Sequence, residues 1–180
     1  MATVTSQLMT VEDFHKLPED DGPVYHELRH GELIAVSRPK LKHIQIQKRL
    51  ERLLEIAAGE AGVVVMEFSF RPVPEYELRV ADVAYVSRGR WEQADPESDL
   101  SGAPELVVEV LSPSNTVTEI YDKEKLCLEN GAQEFWVVDP DRRQVKISTT
   151  DGRTVTWQSG QEIPLPLFGN TKLAVNAIFG

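Results

Sequence analysis

One cysteine, Cys127, is all that the 180-residue chain contains. That excludes an intramolecular disulfide and any zinc site built on cysteines. No run of about 18 apolar residues occurs, so no membrane-spanning helix is expected. The N-terminal stretch MATVTSQLMTVEDF lacks a basic start followed by an apolar core, and a secretory leader is not expected. A cytoplasmic location is the default expectation. Positive charge is also scarce: 19 Lys and Arg face 29 Asp and Glu, a net charge of −10. Proteins that bind duplexes gain affinity by neutralising phosphates, so strong non-specific binding to nucleic acid is not expected. Basic residues do cluster locally, at Arg38-Pro-Lys-Leu-Lys42 and at Lys48-Arg49.

Apolar residues make up 41% of the chain and charged ones 27%, close to globular averages. The length suits one domain over residues 1–180, with no internal repeat and no low-complexity tract. Segment 10–20 reads as a short helical turn ended by Pro18. Extended segments at 25–28 and 32–37, joined through Arg29-His30-Gly31, predict a hairpin. From 41 to 58 the period changes: Ile46, Leu50, Leu53, Leu54 and Ala57 recur at three and four, the stripe of an amphipathic helix that Gly59 and Gly62 bracket. Strands follow at 63–70, 78–86 and 105–111, with a polar loop from 87 to 104 between the second and third. Thr116 and Glu119 have capping-box spacing and predict a second helix ended by Gly131. A fourth strand at 135–140 precedes a ribbon made of VKIST and RTVTW, and the remaining tail reads as a covering segment. The order helix, three strands, helix, strand implies an α/β (α+β) fold, one mixed sheet with a helix on each face.

Two carboxylates sit where burial should forbid them. Asp82 lies within RVADVAYV and Glu109 within ELVVEVLS, strands apolar on both faces and hence central in a sheet. An unpaired buried carboxylate costs several kcal/mol. Two near the ends of neighbouring strands suit oxygen ligation of a hard cation such as Mg²⁺, while a lone salt bridge or an edge position would explain either one alone. On the second helix, at about 100° per residue, Ile120 and Cys127 point one way, Lys123 falls about 60° from them and Lys125 about 140°. Lys123 therefore faces inward, either to neutralise a phosphate or orient a water or as a lysine snorkelling past the helix edge. Lys125 faces water. Glu119 has a sufficient role in the cap. His43, in the first turn of the first helix, reads as a partly buried structural histidine, and Glu32 reads either as a third acid over the site or as an exposed hairpin residue.

Taken together, these stretches resemble a known family. The pattern Tyr25-His-Glu27-Leu-Arg-His-Gly31-Glu32-Leu33, then His43, Val80-Ala-Asp82-Val-Ala, Glu105-Leu-Val-Val-Glu109-Val-Leu-Ser112-Pro-Ser114, Lys123 and Glu134-Phe-Trp-Val-Val-Asp139-Pro140 is similar to the bacterial Uma-two-type family of proposed restriction endonucleases. That family lies in the PD-(D/E)XK nuclease superfamily. The likeness runs from about Met9 to the C-terminus and is most specific from Leu106 to Pro140. It implies a restriction-endonuclease-like αβββαβ core with an N-terminal hairpin and a C-terminal β-ribbon. It also implies that Asp82 and Glu109 are the metal-binding acids and that Lys123 supplies the amine from the helix, because Leu111 stands where the usual lysine would. Glu32 and His43 match further family positions. Two departures stand out: Ala81 replaces the proline before the aspartate, and Cys127 replaces a tyrosine.

The resemblance implies a metal-dependent endonuclease that hydrolyses phosphodiester bonds, in DNA, with Asp82, Glu109 and the Val110 carbonyl holding one or two Mg²⁺ or Mn²⁺ ions. Cutting both strands would call for a homodimer. The alternative is a nuclease-fold protein that no longer cuts and serves as a binding or regulatory module, a role that the acidic composition favours and the intact Asp82, Glu109 and Lys123 set opposes.

Overall fold

The computed structural model describes residues 8–20, 22–169 and 171–180. Residues 1–7, which begin the stretch considered above for a leader, lie outside the described residues. A short helix α1 (Val11–Phe14) opens on the Thr10 cap. Strands β1 (Val24–Arg29) and β2 (Glu32–Ser37) form the expected antiparallel hairpin. His30 and Gly31 both have positive φ, 51° and 75°, the type I′ turn whose twist matches paired strands and that glycine makes cheap. This hairpin stays outside the main sheet. It docks through Leu28, which exchanges backbone hydrogen bonds of 3.0 and 2.9 Å with Leu78. Val11, Leu28 and Leu78 form a small apolar cluster beneath it.

The main sheet follows the anticipated order of elements. Helix α2 (Leu41–Ala58) leads to β3 (Gly62–Arg71) and β4 (Arg79–Ser87). After α3 (Arg88–Gln93) and β5 (Leu100–Ser101) come β6 (Leu106–Val110), α4 (Val117–Glu129) and β7 (Glu134–Asp139). The ribbon β8 (Gln144–Thr149) and β9 (Thr154–Gln158) extends one edge. Seven strands line up as β5-β3-β4-β6-β7-β8-β9, parallel at β3–β5 and β6–β7 and antiparallel elsewhere. The strands carrying Asp82 and Glu109 are thus adjacent and central. Gly62 opens β3 because a side chain there would run into the Val86 carbonyl and the Tyr85 ring.

The alternation of β residues divides the core between two faces. Val83, Tyr85, Leu106, Val108, Trp136 and Val138 meet α2 through Ile46, Leu50, Leu54 and Ala58. Full burial of each of these leucines contributes about 1.5–3 kcal/mol. On the other face Ala84, Val86, Val107, Phe135 and Val137 meet Cys127 and Ala132, with Ile120 and Leu128 alongside. The tail does more than cover. It forms a second hairpin, β10 (Glu162–Leu165) with β11 (Thr171–Ala174), and a last helix α5 (Val175–Phe179) that adds Ile163, Leu165 and Ile178 to the α2 side.

The stretch from 87 to 104, read as loop, holds α3 and β5. These pieces are too short to show a period in sequence. They are fixed by contacts made elsewhere: Arg90 bonds the Ser101 and Ala103 carbonyls and Glu105, and Trp91 leans on Phe68 with ring centroids 6.1 Å apart. No helix among the described residues is long and apolar enough to cross a membrane.

Candidate active site

The β4–β6 ladder pairs Tyr85 with Leu106, Ala84 with Val107 and Val83 with Val108. One more step of this register would set Asp82 opposite Glu109, and there the pairing stops. The Val110 N–H instead donates to Asp82 Oδ2 at 2.6 Å. The other neighbour of β4 is interrupted at the same level. Met66 pairs with Val83 and Phe68 with Ala81, but Glu67, which the register would place against Asp82, is unpaired. Its φ is 50°, in the left-handed region that a non-glycine residue rarely occupies inside a strand. Such strain tends to collect at functional sites. Three carboxylates therefore share one rung where the sheet opens.

Helix α4 supplies the counter-charge. Its capping box forms as the spacing predicted: the Thr116 hydroxyl accepts from the Glu119 N–H and the Glu119 carboxylate accepts from the Thr116 N–H. That starts the helix, and the packing of Ile120 and Cys127 on the sheet turns Lys123 inward. Lys123 Nζ donates to the Val80 carbonyl at 2.6 Å and lies 2.7 Å from Glu109 Oε1 and 3.9 Å from Glu27 Oε1. Lys123 is 6% exposed, Glu109 8% and Glu27 1%, so none of these charges is neutralised by water. Lys125 is exposed, as its phase requires.

The electrostatics separate the two buried acids. Burial would raise Glu27, but the charges of Lys123 and Arg29, the Val80 N–H and the Arg29 hydrogen bond outweigh it and hold the carboxyl below its ordinary value. Burial raises Glu109 further than Lys123 can offset, and the negative charge of Asp82 adds to the rise. Lys123 is pulled down by burial, but Glu109 and Glu27 together keep it above an ordinary lysine and therefore charged. Tyr25 faces the same cluster: burial and then the charges of Glu27, Glu109, Glu67 and Asp82 push its phenol upward.

Asp82 is held from α2. His43 Nε2 lies 3.0 Å from Asp82 Oδ1, and Gln47 Nε2 donates to the same oxygen at 2.9 Å. Gln47 Nε2 also bonds Glu67 Oε1. Burial lowers His43, yet the hydrogen bond and charge of Asp82 more than compensate and favour the imidazolium. His43 is thus partly buried, as expected, and also in contact with the site. Glu32 is exposed, stands opposite Arg29 in the hairpin ladder, and makes no hydrogen bond or ion pair among the described residues; the fold does not gather it into the cluster. Cys127 is fully buried in the core, where burial pushes its thiol up to about 12.

Glu27, Gln47, Glu67 and Tyr25 are members that the sequence reading gave no role. Gln47 had a signal, since it stands four residues after His43 and shares its helix face. Glu67 had another, a carboxylate inside VVVMEFSF, the same anomaly that marks Asp82 and Glu109. Glu27 had only its place in the Tyr25-to-Leu33 stretch.

The donor set suits a hard divalent cation. Gln47 Oε1 is a buried acceptor with no hydrogen-bond partner among the described residues, and buried Glu109 Oε1 meets only the Lys123 ammonium there. Among the described residues no group of three or more His, Cys, Asp and Glu is arranged to hold a metal ion. Mg²⁺ needs fewer protein ligands than that, because it commonly keeps several waters and takes one or two carboxylates.

The seven-stranded mixed sheet, its flanking helices and the acids at the point where β4 and β6 part define a nuclease-type fold. The chain belongs to the Uma2 family, described as "Putative restriction endonuclease", whose model matches residues 11–176. A solved structure, described as "a putative nuclease belonging to DUF820" from Anabaena variabilis ATCC 29413, aligns over 95% of this chain and 97% of its own with a TM-score of 0.80. Identity to it is 23%, so the likeness speaks for the fold. No curated protein matches the chain.

Proposed function

We propose that the protein is a metal-dependent nuclease that hydrolyses phosphodiester bonds in DNA, with Asp82 and Glu109 as the cation ligands and Lys123 as the catalytic amine. The observation that carries this reading is the convergence of both acids and the lysine at the break in the β4–β6 ladder. Asp82, Glu109 and the Val110 carbonyl would hold Mg²⁺ or Mn²⁺, which when bound lowers the pKa of a water and stabilises the charge developing on the phosphate. His43 and Gln47 fix the Asp82 carboxylate on one oxygen, leaving Asp82 Oδ2 with the Val110 N–H alone. Glu27 keeps Lys123 charged and close, so the ammonium retains a partner when Glu109 turns to a cation. Lys123 then presents fixed positive charge to a phosphate or an attacking water.

The test uses calorimetry and plasmid nicking. Mn²⁺ should bind the wild type and bind Asp82→Ala much more weakly, and supercoiled DNA should be nicked in Mg²⁺ by the wild type only. Equal Mn²⁺ affinity in the two proteins would remove the site.

A further inference from the structure

On α2, the helix that carries His43 and Gln47, lies a recess of about 270 Å³ lined by Lys42, Gln45, Ile46, Arg49, Arg143 and Phe179. Three cations from two parts of the chain converge on it: Lys42 and Arg49, two turns apart on α2, and Arg143 from the β7–β8 turn. In a chain of net charge −10, carboxylates are abundant, yet neither arginine pairs with an Asp or Glu side chain among the described residues. Arg49 Nη1 reaches the Phe179 carbonyl at 3.4 Å and Arg143 Nη2 reaches Gly180 O at 3.3 Å. Both are longer than charge-assisted hydrogen bonds, which run about 2.7–2.9 Å. The Arg143 guanidinium sits 5.4 Å from the centre of the Phe179 ring, which steadies it over the recess. Lys42 meets Asp141 at 3.2 Å, but both are largely exposed, where such pairs contribute little.

The position of the recess relates it to the chemistry. Lys42, Ile46 and Arg49 form one stripe of α2, and His43 and Gln47 form the next, about 100° around the helix. His43 and Gln47 hold Asp82. Phosphates follow one another about every 3.4 Å of rise along a strand, so a strand that has its scissile phosphate at the acids and runs along α2 would bring neighbouring phosphates toward this recess. We propose that Arg49, Arg143 and Lys42 seat a backbone phosphate of the nucleic acid, one or two nucleotides from the bond to be cut. The proposal rests on the nuclease reading above. It gives an acidic protein a local means of holding a polyanion.

The experiment measures binding without cleavage. Fluorescence anisotropy of a labelled duplex is followed over a salt series in EDTA for the wild type, the Arg49→Gln/Arg143→Gln double variant, the exposed Lys42→Gln, and Arg88→Gln at the far end of β4 as a control. The double variant should weaken binding to unrelated sequences alike. It should flatten the slope of log K against log salt by about 0.9 for each phosphate no longer neutralised, Lys42→Gln should flatten it less, and Arg88→Gln should match the wild type. Single-stranded DNA and RNA probes distinguish which source of phosphodiester the recess takes. Slopes equal to wild type in both recess variants would overturn the proposal, as would a wild type that binds none of the probes. A melting temperature lowered with the slope unchanged would mean that the arginines only pin the C-terminal segment, which also overturns it. Arginine-dependent binding without nicking would leave the recess standing and sink the nuclease reading. Nicking with KM and salt slope unaffected by the variants would do the reverse.

Discussion

Lys123 Nζ lies 2.7 Å from an oxygen of Glu109 and 3.9 Å from an oxygen of Glu27, so a single buried ammonium serves two buried carboxylates that come from different parts of the fold. Glu109 arrives on a central strand and Glu27 on the hairpin, which docks on β4 through Leu28 and Leu78. The hairpin is therefore part of the site and not an appendage to it.

Removing the charge of Glu27 leaves Lys123 with less compensation in a buried place and takes one of two carboxylate partners from the part-exposed Arg29. Glu27→Gln should lose about 3–5 kcal/mol of stability, the usual cost of breaking a buried pair from one side. The double variant with Lys123→Met should recover part of that loss, because the two residues interact. Urea denaturation of the three variants tests this; full additivity would mean that the two side chains act independently.

The two lysines of α4 should behave oppositely. Lys123→Ala should abolish Mg²⁺-dependent nicking, and it should also destabilise the fold, since it leaves Glu109 without a cation and Glu27 with Arg29 alone. Among the described residues Lys125 pairs only with Glu129, at 3.8 Å on the surface, so Lys125→Ala should change activity little and stability by less than about 0.5 kcal/mol. A dead Lys125→Ala with an active Lys123→Ala would invert the assignment.

Much of this was legible in the chain because local rules and global fold agree. Asp82 and Glu109 stood out as carboxylates in strands with no polar face, the Thr116–Glu119 box marked the start of the helix, and Ile120 and Cys127 set the phase that turns Lys123 inward. Glu27 was not legible in that way. In β1 it alternates like any hairpin residue, and its burial comes from docking on Val80, a partner 53 residues away in sequence. Glu67 carried the same anomaly as Asp82, but the left-handed backbone beneath it is a property of the opened sheet and leaves no mark on the sequence. The helix at Arg88–Gln93 escaped because six residues span less than two turns, too short for a period to declare itself.

Glu134 offers a pH-dependence away from the acids. Its carboxyl is raised by burial, only partly offset by the Trp136 indole N–H, which donates to it at 2.8 Å. A carboxyl raised in the folded state holds its proton there after the unfolded chain has released it. Stability from this group is thus full below the unfolded value, about 4.3 for Glu, and is lost as pH rises through the folded value. Glu134→Gln keeps an acceptor for Trp136 and removes the titration. Thermal melts over pH should show a shallower decline above about pH 4 in the variant. An unchanged decline would place the effect on other carboxyls.

Stability also distinguishes a cation site from a structural ion pair, and the two acids should answer differently. From the sequence they look equivalent, two like charges repelling across one cavity. In the fold they are not. Asp82 faces three donors, from His43, Gln47 and Val110, whereas among the described residues the Glu109 carboxyl meets only the Lys123 ammonium, at Oε1. Asp82→Asn puts an amide N–H₂ against at least one of those donors, and should cost about 1–3 kcal/mol in EDTA, the scale of an unmet buried hydrogen bond. Glu109→Gln removes a carboxyl whose ionised form burial and Asp82 both oppose, while Lys123 keeps Glu27. It should leave the metal-free protein as stable as the wild type or more so, by about 0.5–2 kcal/mol. Both variants should lose the stabilisation that Mg²⁺ gives the wild type, because a ligand stabilises only the state that binds it. If Glu109 were instead half of a structural pair with Lys123, Glu109→Gln would lose about 3–5 kcal/mol in EDTA. Melts of the three proteins in EDTA and in Mg²⁺ separate the cases by sign, and a large loss for Glu109→Gln without metal would remove Glu109 from the proposed cation site.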